Sequence, residues 1–178
     1  MGKITHILLD LDDVLVGWRE GVAALFGKEC PANDVWDTAV NLGVSTQAMW
    51  EAIEDSGPAF WANLEPTPWA DELLDVVSKW PWSIATAYAR DAACSFGKHQ
   101  FCRARFGEKF EGMCILKRKW LMARPGRVLI DDRESNVYEF MNHGGTGIIF
   151  PRTYNVNRHF CNDPVKHVRE VLEYTDRR

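Results

Sequence analysis

Short apolar runs recur along the chain, each closed by acids, turn formers or glycine and followed by a stretch with helical spacing. Residues 4–10, 82–86, 112–116, 127–131 and 146–150 read as five strands. From Gly17 to Phe26 the apolar residues Trp18, Val22, Leu25 and Phe26 share one side of a helix. Ser45 caps a helix over 46–53, and Pro68 or Trp69 opens one that runs through Leu73, Leu74, Val76 and Val77. Asp91 to Phe106 is amphipathic and ends at Gly107, and residues 118–123 form a short helix closed by Pro125-Gly126. Ser135 to Asn142 is a helix stopped by Gly144-Gly145, and Pro164 to Tyr174 is the last. Strands alternating with helices predict an α/β fold: a parallel sheet, helices on both faces, right-handed connections. Residues 31–63 are irregular in spacing and rich in Trp and turn formers. They read as an insertion between the first strand and the first crossover helix.

The first apolar run delivers Asp10, Asp12 and Asp13 within four residues. A buried parallel strand is apolar on both faces, and open α/β sheets bind ligands at the carboxyl ends of their strands. Asp10 and Asp12 point to the same side, because side chains alternate along a strand. Crowded carboxylates repel, and a cation such as Mg²⁺ relieves that repulsion. The competing explanation is a polar turn that caps the next helix, a position Asp favours. A second strand-end pair, Asp131-Asp132, closes the run Arg127-Val128-Leu129-Ile130. Two such clusters in one small domain point to a shared metal site.

Composition narrows the partners. At 178 residues the chain is one domain with room for a small insertion. A net charge of −4, with no basic block longer than Lys117-Arg118-Lys119, argues against a duplex-binding surface but permits a nucleotide ligand. The cysteines, at 30, 94, 102, 114 and 161, are odd in number and contain no Cys-x-x-Cys pair. That predicts reduced thiols in a cytoplasm, not a disulfide framework or zinc site. No signal peptide precedes the first strand and no apolar run approaches membrane-spanning length. His6, inside the first strand, reads as a satisfied sheet residue.

Asp10-Leu11-Asp12-Asp13-Val14 resembles the first motif of the haloacid dehalogenase (HAD) superfamily of phosphohydrolases. Thr86, ending Trp82-Ser83-Ile84-Ala85-Thr86, resembles its second motif, Lys119 (or, less well, Lys117) its third, and Asp131-Asp132 its fourth. Phe60 to Pro68, Leu129 to Arg133, and Asn136 with Gly144 to Pro151 are similar to segments of 5′(3′)-deoxyribonucleotidases and small phage and bacterial relatives. The resemblance implies a Rossmann-like core over 1–16 and 66–178 and a small helical cap over 17–65. It implies Asp10 as nucleophile, Asp12 as acid and base, Thr86 as a phosphate contact and Lys119 as the balancing charge. Mg²⁺ would sit on Asp10 and Asp132, with the Asp12 carbonyl beside it and Asp131 behind. Trp18, Phe60 and Trp61 would provide an aromatic base site, and Ala87 and Arg133 would complete the substrate contacts. The implied activity is hydrolysis of (deoxy)nucleoside monophosphates. A 3′-phosphatase of nucleic-acid ends and a non-catalytic binding module of the same fold are the alternatives. One departure is Asp13, where the nucleotidases usually carry Gly.

Overall fold

The computed structural model describes residues 3–177. Five parallel strands form one sheet in the order β3-β2-β1-β4-β5: β1 (His6–Leu9), β2 (Trp82–Thr86), β3 (Met113–Ile115), β4 (Arg127–Asp131) and β5 (Thr146–Ile149). The register sets Leu9 against Ile84 on one side and Ile130 on the other. Continuously apolar strands are expected at the centre of such a sheet, because both faces are covered. Ile7, Leu9, Ile84, Val128 and Ile130 enter a large core on one face. Leu8, Ala85 and Leu129 enter a smaller one with Phe140 on the other. His6 donates to or accepts from Ser83 Oγ at 2.9 Å, which satisfies it within the sheet.

The chain steps outward from β1 to β2 and β3, then returns to the far side of β1 for β4 and β5. The reversal opens a crevice between the carboxyl ends of β1 and β4, where α/β sheets place ligands. Asp10 follows β1 directly, its N–H donating to the Ile130 carbonyl at 2.9 Å, and Asp131 ends β4. Sheet geometry alone therefore brings the two acidic clusters together.

Helices α1 (Trp18–Leu25), α2 (Thr38–Leu42) and α3 (Thr46–Ala62) lie between β1 and β2. The strand leaving the core and the strand returning to it run side by side: Val16 pairs antiparallel with Pro66. Gly17 N–H donates to the Glu65 carbonyl at 3.0 Å, and Thr67 N–H to that of Leu15 at 2.9 Å. The remaining helices are α4 (Ala70–Val77), α5 (Ala92–Phe106), α6 (Glu134–Asn142) and α7 (Pro164–Asp176), with a 3₁₀ turn over Lys119–Met122.

Two features of the insertion depart from the pattern-based reading. Helix α2 falls in the segment read as irregular. It is five residues long, capped by Asp37 (accepting from Val40 N–H) and closed by Gly43 at φ 63°. Helix α3 continues past residue 53 to Ala62, but breaks at Gly57 (φ 58°, ψ −150°), a conformation open essentially to glycine. Pro58 then starts the second half, where a missing N–H costs nothing.

Helix α3 packs along α5 at very short range. A Cβ on Gly97 of α5 would lie 2.3 Å from the Pro58 carbonyl oxygen and 2.6 Å from Trp61 Cβ. Gly97→Ala is therefore expected to cost about 1–3 kcal/mol and to lower the melting temperature by roughly 2–12 °C. Calorimetry of the variant checks this; an unchanged melting temperature would refute the close approach.

Candidate active site

Lys119 is the hub of the crevice. The 3₁₀ turn between β3 and β4 buries it, at 2% exposure. Its ammonium lies 2.7 Å from Asp10 Oδ1 and 2.6 Å from Asp131 Oδ2. Lys117, two residues earlier, is exposed and stands 4.6 Å over the Tyr88 ring. Asp131 is saturated: Oδ1 accepts from Arg133 N–H (2.9 Å) and Asn136 Nδ2 (3.2 Å), and Oδ2 from Lys119 and Asn136 (3.0 Å). Asp10 Oδ1 also accepts from Leu11 N–H at 2.8 Å, so both contacts of Asp10 fall on one oxygen. Asp132 Oδ2 accepts from the Tyr154 hydroxyl at 2.7 Å. Asn155 Nδ2 donates to the Asp132 carbonyl at 2.9 Å and fixes that turn.

The three neighbouring acids do different work. Asp12 Oδ2 accepts from Lys98 Nζ at 2.5 Å, while its Oδ1 is buried without a partner. Lys98, 1% exposed on α5, also donates to Thr86 Oγ1 (2.9 Å) and the Ala87 carbonyl (2.8 Å), and stands 5.0 Å over the Trp61 ring. Thr86 is fully buried; its oxygen receives Lys98, which leaves its own O–H free to donate. Asp13 is the helix cap: its Oδ1 accepts from Arg19 N–H in the first turn of α1 at 3.1 Å. It is also the one non-glycine with positive φ (57°) among the described residues. A left-handed position favours Gly, and Asp tolerates it. That accounts for Asp standing where the resembling nucleotidases carry Gly.

A cavity of about 380 Å³ opens over these groups. Asp10, Asp12, Lys119 and Asp132 lie at its polar end, and Trp18, Trp36, Trp50, Trp61 and Tyr88 among its aromatic walls. Trp18 is half-buried and tilts against Trp50 with ring centroids 6.2 Å apart. Ala87 and Arg133 line the cavity too; Arg133 is exposed, bonds Ser135 Oγ at 3.0 Å and forms no ion pair with Glu134 among the described residues. Phe60 is the exception to the expected aromatic site. Successive helical residues point about 100° apart, so Phe60 meets Trp61 edge-on and turns into a separate groove with Leu64, Pro66 and Trp69. Sequence reasoning passed over Lys98, Arg19 and Tyr154. The signal for Lys98 was present: Cys94, Lys98 and Cys102 share the i, i+4 stripe that α5 buries.

Burial dominates the electrostatics. It pushes the Asp10 carboxyl up to about 7 against the pull of Lys119, with Asp131 and Asp12 adding to the rise. Burial likewise raises Asp13 to about 7, opposed by Arg152, and lifts Asp132 well above the carboxylate range, aided by Asp131. Lys119 resists its own desolvation and stays above its ordinary value because Asp10 and Asp131 flank it. Oxygens of Asp10, Asp131 and Asp132 all lie within 4.8 Å of one another. Three buried carboxylates facing one ammonium leave room for a hard, oxygen-seeking cation.

The backbone matches solved hydrolases over nearly its whole length. A protein described as a predicted phosphatase, from Clostridium acetobutylicum, superposes with a TM-score of 0.59 at 14% identity, covering 97% of this chain and 100% of that one. A HAD family hydrolase from Deinococcus radiodurans, with bound phosphate and sodium, gives 0.57 at 15% identity over 98% and 97%. The HAD-hydrolase YfnB from Bacillus subtilis, bound to magnesium, gives 0.57 at 12% over 96% and 99%. The chain has the haloacid dehalogenase fold. No protein-family model matches the sequence, and no curated protein matches it. No helix among the described residues is long and apolar enough to cross a membrane.

In this HAD fold the raised acids have a measurable consequence. Folded Asp10, Asp13 and Asp132 keep protons that the unfolded chain releases from about pH 4. Without a divalent cation, their contribution to stability therefore falls as pH climbs from about 4 to about 7. A cation held by Asp10 and Asp132 would replace the protons on those two carboxyls. The rise in melting temperature on adding Mg²⁺ should grow between about pH 5 and about pH 8. A rise independent of pH would contradict the assignment of these carboxyls.

Proposed function

We propose that the protein is a Mg²⁺-dependent phosphomonoester hydrolase that works through an aspartyl-phosphate, with nucleoside monophosphates as substrates. The reading rests on two unengaged carboxylate oxygens, two residues apart, beside one cavity. Both contacts of Asp10 fall on Oδ1, which leaves Oδ2 free, and Asp12 Oδ1 is buried without a partner. An attacking oxygen and a proton-transfer oxygen are what such a reaction requires.

In the first step Asp10 Oδ2 bonds to phosphorus, the ester P–O bond breaks and Asp12 gives its proton to the departing oxygen. In the second, water attacks the same phosphorus, Asp12 takes a proton from that water and the P–O bond to Asp10 breaks. Phosphate is thereby released, and both carboxyls return to their starting forms. Lys98 holds Asp12 Oδ2, which leaves Oδ1 as the oxygen for proton transfer. Lys119 offsets the charge of Asp10 and of the entering phosphoryl group. The Thr86 O–H is free to donate to a phosphoryl oxygen. Asp10 Oδ2 and Asp132 Oδ1 are the open oxygens for a metal, and the Asp12 carbonyl accepts no hydrogen bond among the described residues. Asp131, engaged on both oxygens, is suited to act from behind. When bound, Mg²⁺ supplies positive charge to the phosphoryl oxygens. The magnesium in the Bacillus neighbour and the phosphate in the Deinococcus one support this reading. The aromatic walls support a nucleoside as the leaving group, its flat base stacked against them.

Asp10→Asn is expected to abolish phosphate release from nucleotides and Asp12→Asn nearly to do so, each with its fold retained by circular dichroism. Excess chelator should stop the wild-type enzyme, and beryllium fluoride should inhibit it. Turnover by Asp10→Asn comparable to wild type would sink the mechanism.

Trp18 tests the base site. Trp18→Ala is expected to lower kcat/KM for a nucleoside monophosphate on the order of five- to a hundredfold, chiefly through KM. A small phosphate ester without a ring should be affected far less. Equal losses on both, with a large fall in melting temperature, would assign Trp18 to packing alone.

A further inference from the structure

We propose that Arg19 holds a second anionic group of the substrate, so that the preferred ester is a nucleoside bisphosphate; this rests on the phosphatase reading above. The first observation is a buried charge with no counter-ion. Arg19, Lys98 and Lys119 are the buried cations of the described residues, at 3%, 1% and 2% exposure. Lys98 is paired with Asp12, and Lys119 with Asp10 and Asp131. Arg19 pairs with no carboxylate among the described residues. One of its NH₂ groups donates to the Val35 carbonyl at 2.7 Å, and its Nε is buried without a partner. A desolvated guanidinium left without an anion is costly, and its planar fork suits a phosphate.

The second observation is position. Arg19 lines the same cavity as Asp10 and Asp12. Its guanidinium lies 4.4 Å over the face of Tyr154, whose hydroxyl donates to Asp132. Arg19 is thus one tyrosine ring removed from Asp132, an acid that would hold the metal beside the reacting phosphoryl group. The charges that most affect Asp10 are those of Lys119, Asp131 and Asp12, and those that most affect Asp132 are those of Asp131, Asp13 and Asp10, not that of Arg19. The mouth adds a third observation. Trp50, Tyr88 and Trp36 line the cavity, and each carries a solvent-exposed cation: Arg90 at 5.3 Å, Lys117 at 4.6 Å and Arg133 at 5.8 Å from the ring centroid. In a chain of net charge −4, this positive rim favours entry of a polyanion.

The test uses Asp10→Asn protein, so that ligands are not consumed, and reads tryptophan fluorescence with Mg²⁺ present. Deoxyadenosine 3′,5′-bisphosphate should bind about tenfold or more tighter than either the 3′- or the 5′-monophosphate. Adding Arg19→Gln should shrink that advantage to about twofold, with Arg19→Lys between. Equal affinities for bisphosphate and monophosphates overturn the proposal. So does an Arg19→Gln loss that is the same for all three, which would place Arg19 at the reacting phosphoryl group. Should Arg19→Gln fail to fold, Arg19→Lys and the unsubstituted ratio decide. A 3′-phosphorylated oligonucleotide that outcompetes the bisphosphate overturns it in favour of nucleic-acid ends. Phosphate release by wild type from none of these compounds would reject the phosphatase reading instead, and the binding ratio answers independently of it.

Discussion

A single ammonium, that of Lys119, is shared between Asp10 and Asp131 beneath a crevice that also contains Asp132. All four groups are buried, so their charges interact through a medium that screens them poorly. One positive charge cannot neutralise three negative ones. The molecule is left to retain protons on its carboxyls or to acquire a cation. The geometry around this imbalance follows from it. Asn136 and the Arg133 amide occupy Oδ1 of Asp131, the oxygen that Lys119 does not fill, and Tyr154 occupies one oxygen of Asp132. What remains open is one oxygen each on Asp10 and Asp132, both of which line the cavity.

The sheet was legible because its strands are short apolar runs, two of which, β1 and β4, lead into acids; strand order then forces Asp10 and Asp131 together. Lys119 was preferred over Lys117 from the motif order. The structure gives a physical reason for the difference in placement: Lys119 opens the 3₁₀ turn and is buried, whereas Lys117 lies before the turn and is exposed. What escaped were residues whose neighbours in sequence say nothing of their neighbours in space. Lys98 reads as a solvent-facing lysine unless its position between Cys94 and Cys102 on the buried stripe is weighed. Tyr154 and Arg19 come from segments 135 residues apart and meet only through tertiary packing. Phe60 and Trp61 share one aromatic pair in sequence, yet a helix sends them to different cavities.

The three acids after β1 show that two explanations of one motif can both hold. A polar turn that caps the next helix and a reactive pair facing a ligand were competing accounts of Asp10, Asp12 and Asp13. The structure divides the labour: Asp13 caps α1 from a left-handed backbone position, and Asp10 and Asp12 line the cavity.

The pairing of Val16 with Pro66 bears on how the helical insertion can move. Two independent single-strand tethers would let it swivel about many backbone torsions. A hydrogen-bonded ribbon is stiff within its own plane and supple across it. The insertion is therefore mounted on something closer to a strap hinge than to a pair of strings. Twisting or sideways sliding requires breaking the Gly17–Glu65 and Thr67–Leu15 hydrogen bonds, and bending requires parting α3 from α5 at Gly97.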